Sequence, residues 1–348
     1  RIIYDPPLIL HYDGRYGAEK DSKCMGHIGC IFCNVQSTRV VIEENGFKGL
    51  KCPQCGLIYI SPRPSFNEIV NLYRKDNAHI SAVAHISARY SKRLFARHHL
   101  RIIKSYINHG AVLELGAGAG YFLHEAKQMG FDPYGIEYNP IQAGFIRNIL
   151  KIPCEESELG TTTFGGMRFD LVYHSDVISH LFDPLSEFRR MHAIMKENSF
   201  LIFETGNLGE VHQRYFKYFE CFQYPDHLFF FSTDNLRKLL EISGFELLKI
   251  YRYSIMPQLL LIRVITRLRQ SLSKGKKVED IERTGIVAKH DHHAPDNKIK
   301  KSLSITWNYL NYLLRLKIGY IVPKKNQPQT VIIVSRKIEK NGLKTRDG

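Results

Sequence analysis

Residues 112–140 read VLELGAGAGYFLHEAKQMGFDPYGIEYNP. Val112–Leu115 has the composition of a buried strand, and three glycines follow it at alternate positions, Gly116, Gly118 and Gly120. Without a Cβ, glycine adopts positive φ and lets a ligand approach the backbone. The pattern turns helical at Tyr121, so the unpaired N–H groups of a helix N-terminus lie beside that turn. A second strand pattern ends in Glu137, and a carboxylate at a strand tip can accept both hydroxyls of a ribose. The stretch therefore predicts an adenosine-containing cofactor at the carboxyl edge of a parallel sheet.

Working outward, strand and helix patterns alternate as they do in a sheet covered on both faces. Strands are expected at 111–115, 133–137, 169–174, 199–204, 245–251 and 330–337. Helices are expected at 121–129, 140–150, 184–195 and 233–243. Before them, 64–108 is expected to be helical. After Ser254 about 75 residues interrupt the last two strands. Two stretches there, 258–272 and 303–316, have amphipathic helical spacing, and 273–301 reads as a mobile linker.

Near the N-terminus four of seven cysteines form two pairs, Cys30/Cys33 and Cys52/Cys55. Two thiolates on each of two tight turns complete a tetrahedron, which predicts a closed, structural zinc site. The chain divides accordingly: an irregular 1–28, a zinc ribbon over 29–63, a helical cap over 64–110, a cofactor-binding domain over 111–254 plus 329–338, and a basic helical insertion over 255–328.

The formal net charge is +15. Residues 1–248 carry 27 Lys+Arg against 27 Asp+Glu, and residues 249–348 carry 22 against 7. The whole excess sits in the last hundred residues, which points to an anionic partner for that part alone, a membrane surface or a nucleic acid. A second reading has both helices pack on the body or form a dimer contact. No apolar run reaches the roughly 18 residues of a spanning helix. RIIYDPPLILHYDG lacks a basic-then-apolar leader pattern. A soluble, cytoplasmic protein is expected, with peripheral membrane contact through 255–318 as the alternative to that packing.

The glycine spacing excludes the dinucleotide fingerprint, whose third glycine would fall at Tyr121. GxGxG with Glu114 two residues ahead resembles motif I of the class I S-adenosylmethionine-dependent methyltransferases. FDLVYHSDVISHLFDP (169–184), FLIFETGN (200–207) and YPDHLFFFSTDNLRKLLEISGF (224–245) resemble later segments of the same superfamily. Together with CPQCGLIYISPRPS (52–65), they resemble the bacterial sugar C-methyltransferases and related polysaccharide-cluster enzymes, over about 29–252 and 330–337. One departure is Ser179, where the family pattern has Glu before the His kept here as His180. The resemblance implies a Rossmann-like α/β sheet of seven strands, the last antiparallel. It implies S-adenosylmethionine held by Glu114, Gly116, Ala117, Gly118, Gly120, Tyr121, Phe122, Glu137, Tyr138, Asn139, Ser175, Asp176 and Val177. It also makes His227 or His180 the general base, with Tyr224 and Asp226 orienting base or substrate. Tyr73 and Tyr90 are candidates to reach the site from the N-terminal side.

A sugar, nucleotide-linked or on a lipid carrier, is then the expected methyl acceptor. An RNA acceptor is the alternative. Against it, residues 29–63 carry four Lys+Arg and two Glu, no basic grip for phosphates. His85, His98, His99 and His109 are expected at the surface. His290, His292 and His293 around Asp291 sit in the linker, with no element to set metal geometry.

Overall fold

The computed structural model describes residues 26–69, 76–157, 159–160, 163–273, 298–322 and 325–338. Positions 274–297 of the linker, with its histidine cluster, Cys24 and Tyr73 lie outside these residues, and 298–301 open a helix instead of continuing the linker.

The chain folds around a seven-stranded sheet in the order β10-β11-β8-β7-β4-β5-β6. Its strands are β4 (Gly110–Leu115), β5 (Phe131–Ile136), β6 (Cys154–Glu155), β7 (Phe169–Ser175), β8 (Met195–Gly206), β10 (Phe245–Ser254) and β11 (Gln329–Lys337). Strands β6, β5, β4, β7 and β8 run parallel, and β11 is antiparallel to both its neighbours. This is the Rossmann-like seven-stranded sheet, with β11 antiparallel, that the resemblance implies. Val112, Leu113, Leu171, Val172, Leu201, Ile202 and Val331 to Val334 are fully buried, as strands covered by helices on both faces must be. The seventh strand, β6, has only two residues, too few to show a period in sequence.

Helices cover both faces: α1 (Asp76–Ser87), α2 (Arg89–Ile103), α3 (Tyr121–Gln128), α4 (Pro140–Phe145), α5 (Pro184–Ile194) and α6 (Thr233–Ile242). The helix expected through Asn108 is two, broken at Ala88 and ended by Ile103. Asn139, Asp183 and Ser232 cap α4, α5 and α6, each side chain accepting from the first-turn amides.

A second sheet has the order β1-β2-β3-β9, from Val40–Glu44, Phe47–Lys51, Ile58–Ile60 and Phe229–Phe230. Its fourth strand comes from the far side of the sequence: Tyr59 pairs with Phe229 and Ile58 with Phe230. Leu57 to Ile60 share one core with Phe203, Phe229 and Phe231, so the cysteine-bearing segment is part of the same body.

The insertion leaves β10 at Ser254 and re-enters β11 at Gln329, which pair with each other, and Thr330 pairs with Gly206 at the end of β8. It therefore stands at the carboxyl edge, where the glycine turn also lies. Its helices are α7 (Met256–Ser273) and α8 (Lys298–Tyr312), the latter continued by a wider turn over Leu313–Ile318. Tyr312 and Leu316 are buried, and the Tyr312 ring meets Phe95 of α2 edge-on at 6.0 Å. This part packs on the body. Among the described residues no helix is long and apolar enough to cross a membrane.

Candidate active site

Gly116, Gly118 and Gly120 all have positive φ, at 62°, 53° and 69°. At Gly120 a Cβ would stand 2.6 Å from Ile146 Cγ1, and at Gly116 2.7 Å from Val177 Cγ2. At Gly118 the nearest such atom is His85 Nδ1, 3.8 Å away. The turn is packed tightly on its two outer glycines and opens at the middle one, beneath α1. His85 covers this opening, correcting its expected surface position, and burial followed by the Lys92 charge lowers its pKa to about 4.

Glu137 is anchored by the turn it serves. Its Oε2 accepts from the Gly118 amide at 2.6 Å and its Oε1 from the Asn139 amide at 2.8 Å. Burial raises its pKa against these donors. Glu114 is buried with its Oε2 lacking any hydrogen-bond partner. Burial first, and the Glu137 charge second, push its pKa well up. A buried oxygen without a donor costs free energy, so this carboxyl fits a ligand that brings one.

Several predicted contact residues hold the turn from behind. The Ala117 amide donates to Ile136 at 3.0 Å. The Tyr121 hydroxyl donates to the Ile86 carbonyl, tying α1 over the turn. Phe122 stacks on Tyr173 at 3.7 Å, and the Asn139 side chain caps α4. Tyr138 is half-buried beside it.

At the tip of β7 the Ser175 hydroxyl donates to Glu204 Oε2 at 2.9 Å. Asp176 follows with φ 55°, its amide donating to the Glu204 carbonyl at 3.0 Å. Burial, then the Glu204 charge, raises the Asp176 pKa. Beyond it the structure brings together His180, Asp226 and His227. His180 Nδ1 lies 3.1 Å from Asp226 Oδ1, and the two imidazole rings are 4.6 Å apart. Strand-like pairing holds the two loops in place, with the Leu228 amide donating to the Ser179 carbonyl at 2.7 Å.

The two histidines are pushed in opposite directions. Burial, then the charge of His180, lowers His227 to about 3, and its Nδ1 has no hydrogen-bond partner. Burial also opposes the charged form of His180, but the charge and hydrogen bonds of Asp226 outweigh it and raise the pKa. The geometry presents an imidazole pushed towards its neutral form beside one whose charged form a carboxylate favours.

Tyr224, expected beside them, is placed elsewhere. Its ring is buried against β2, where a Cβ on Gly49 would overlap its hydroxyl. Its amide donates to Glu44 Oε2 at 2.7 Å, and its carbonyl accepts from Asn45 Nδ2 at 2.7 Å. It anchors the histidine loop to the β1–β2 turn.

A second polar group beside Ser175 and Asp176 was not expected. Arg315 of the insertion donates to Glu204 Oε1 at 2.6 Å and lies over the Phe95 ring. His99 hydrogen-bonds the Tyr173 hydroxyl at 2.6 Å, with its Nε2 3.4 Å from Glu204. Burial, then Arg315, lowers His99 to about 3, so this approach joins a neutral ring to the carboxylate. His99 is fully buried and His98 half-buried, its Nε2 2.9 Å from the Tyr253 hydroxyl. Both correct their expected surface positions. An isolated arginine in the run LLRLKI was the only local signal.

The four cysteines converge. One Sγ from each of Cys30, Cys33, Cys52 and Cys55 lies within 4.8 Å of the others. Two matching turns bring this about. The Cys30 amide donates to Val35 and the Asn34 amide to Cys30; Cys52 and Gly56 repeat both bonds with Leu57 and Cys52. Asn34 (φ 52°) and Gly56 (φ 72°) fill the same left-handed position.

Residues 87–250 match a family described as a methyltransferase domain. The likeness to methyltransferase domains thus takes in a little under half of the chain. Two Campylobacter jejuni proteins named tRNA U34 carboxymethyltransferase, of strains 81116 and RM1221, are 29% and 28% identical over 115 residues. These segments cover 30% of this chain and 39% of the relatives, so the likeness spans well under half of their length. Similar solved structures include an Archaeoglobus fulgidus S-adenosylmethionine-dependent methyltransferase (18% identity, 70% and 94% coverage of this chain and that one, TM-score 0.41). Another is a Haemonchus contortus phosphoethanolamine N-methyltransferase (16% identity, 70% and 53% coverage, TM-score 0.40). The residues present fit S-adenosylmethionine, the cofactor that this likeness implies: the orphaned Glu114 oxygen suits an ammonium donor, and Glu137 stands at the strand tip suited to ribose hydroxyls.

Proposed function

We propose that the protein methylates a sugar, nucleotide-linked or carried on a lipid, in the assembly of a surface polysaccharide or a related glycan. The observation that carries this reading is the His180–Asp226–His227 cluster at the carboxyl edge. A sugar hydroxyl, or the carbon beside a sugar carbonyl, must lose a proton to become a methyl acceptor. The cluster offers a neutral imidazole to accept that proton, and a carboxylate to pair with the charge that results.

S-adenosylmethionine, when bound, would supply an electrophilic methyl group on a sulfonium sulfur that is released as a neutral thioether. Glu114, the Gly116–Gly120 turn and Glu137 hold its polar ends. A ring nitrogen of His227 would take the proton that the acceptor loses, leaving the acceptor the electron pair for its new bond to the methyl carbon. Asp226 keeps His180 protonated and oriented, and the imidazolium donates to the acceptor oxygen on which negative charge builds up.

We further propose that Cys30, Cys33, Cys52 and Cys55 bind one structural zinc. The separation of their sulfurs suits Zn–S bonds of about 2.3 Å. The site has no place for a substrate, so the ion holds β1 to β3 and, through β9, the loop that bears His227. Metal analysis checks this, with about one zinc per chain expected.

A tRNA acceptor is the second reading, favoured by the names of the partial relatives and by the basic C-terminal hundred residues. One experiment separates the two. Methyl transfer from labelled S-adenosylmethionine is measured to nucleotide-linked sugars, to lipid-linked sugars and to tRNA at two salt concentrations. Label in a sugar supports the first reading. Label in tRNA, with binding that falls steeply with salt, replaces it.

A further inference from the structure

The insertion has two different surfaces. Tyr312, Leu316 and Gly319 are buried against the body. On α7, Leu260, Val264 and Leu268 are 47%, 54% and 58% exposed. Spaced by four, they form one stripe about 12 Å long. A second exposed apolar group follows Gly319: Tyr320, Ile321 and Val322 are 56%, 80% and 40% exposed, and Ile318 precedes them at 43%. Both groups stand at the same end of the molecule. Gly319 packs on Ser254, where a Cβ would meet the Ser254 backbone, and α7 starts two residues later at Met256.

The charge around them has one sign. Positions 256–273 and 298–322 carry eight Lys+Arg and no Asp or Glu. On α7, Arg263 lies over the Tyr218 ring and Arg267 is exposed beside the apolar stripe. Lys317 is exposed next to Ile318. A second copy of this face would set like charges against each other, whereas an anionic lipid surface accepts the apolar side chains and is complementary to the cations. Tyrosine suits such an interface, with an apolar ring and a polar tip.

We propose that α7 and the Ile318–Val322 turn dock the protein on an anionic lipid bilayer, lying on it without crossing it. The surface stands on the carboxyl edge of the sheet, and Arg315, from the same insertion, holds Glu204 beside the candidate acceptor site. Docking therefore turns the reactive edge towards the membrane. The inference rests on the insertion alone and stands whether or not the acceptor is a sugar.

Flotation of the full chain with vesicles of phosphatidylcholine, with and without phosphatidylglycerol, tests it. Binding to the mixed vesicles at low salt is expected, weaker at physiological salt and absent with phosphatidylcholine alone. Leu260→Glu with Val264→Glu should abolish flotation. Arg263→Gln and Arg267→Gln, milder surface changes, should each weaken it about fivefold. S-adenosylhomocysteine affinity should be unchanged in all of them, which shows that the fold is kept and separates this test from that of the methyltransferase reading. Lack of flotation with anionic vesicles at low salt overturns the proposal. So does a dimer in sedimentation that the same substitutions dissociate.

Discussion

The carboxyl edge of the sheet has two halves built in opposite ways. The cofactor half, from Glu114 to Glu137, is one continuous strand–turn–helix–strand segment, and its hydrogen bonds join residues 2 and 19 positions apart. The acceptor half is assembled from afar: His180 meets Asp226 across 46 positions, and Glu204 meets Arg315 across 111. The first half depends on backbone conformation. The second depends on buried charges held by distant elements, so substitutions should act on the two differently.

The largest effect is expected from His227→Ala, with turnover falling about 10²–10⁴-fold as for loss of a general base. Calorimetry should find S-adenosylhomocysteine affinity near normal. A variant keeping half its activity would make His227 structural and move the base to His180.

Gly120→Ala should act on the other half. The residue has φ 69° and Ile146 crowds its Cβ position. Left-handed backbone costs a non-glycine residue about 1–2 kcal/mol, and the clash adds to it. Cofactor affinity should fall about 10–100-fold, with the acceptor half intact. Affinity within threefold of wild type would show that the turn is less constrained than its geometry.

Arg315→Met leaves Glu204 buried with the Ser175 hydroxyl but without its cation, a loss of about 3 kcal/mol in a thermal melt. Glu204→Gln in the same chain should recover part of it, since the uncompensated charge is then gone. Full additivity in that double-mutant cycle would mean that the pair is not coupled.

The smallest effect concerns pH. The folded-state pKa of His227 is lowered to about 3, so the neutral form persists as pH falls through 6.5 and is lost only near that lower value. His180 is raised, so its proton is retained past 6.5 and lost on the alkaline side. The profile of kcat/KM should be flat between about pH 5 and 6.5 and decline at alkaline pH. An acid limb centred near 6.5 would place an ordinary, solvated histidine in the base's role.

The difference between the halves is also the difference in what could be read. The glycine turn was legible because its function is written in backbone freedom, and glycine is the residue that marks it. The two CxxC pairs were legible for the same reason, a tight turn with a fixed ligand spacing. Strand β6 was not, because two residues carry no period. His85, His98 and His99 were misplaced because a histidine-rich helix looks polar from outside. Its partners, Tyr173, Glu204 and Tyr253, lie 74 to 155 positions away. Tyr224 was grouped with His227 by the family resemblance, but Gly49 opens room for its ring on the other side of the loop.

The sequence by itself determined the parallel sheet, the glycine turn, the acid at the tip of the second strand and the two cysteine turns. Each is a local matter of period, backbone conformation or short spacing. Only the tertiary structure decided that β9 stitches the cysteine sheet to the histidine loop, and that the pKa of His227 is pushed down while that of His180 is pushed up. It also decided that Arg315 reaches Glu204 and which face of α7 is left uncovered. These depend on burial and on charges brought within a few ångströms by the fold, and neither the dielectric around a side chain nor its distant neighbours can be read from the residues beside it.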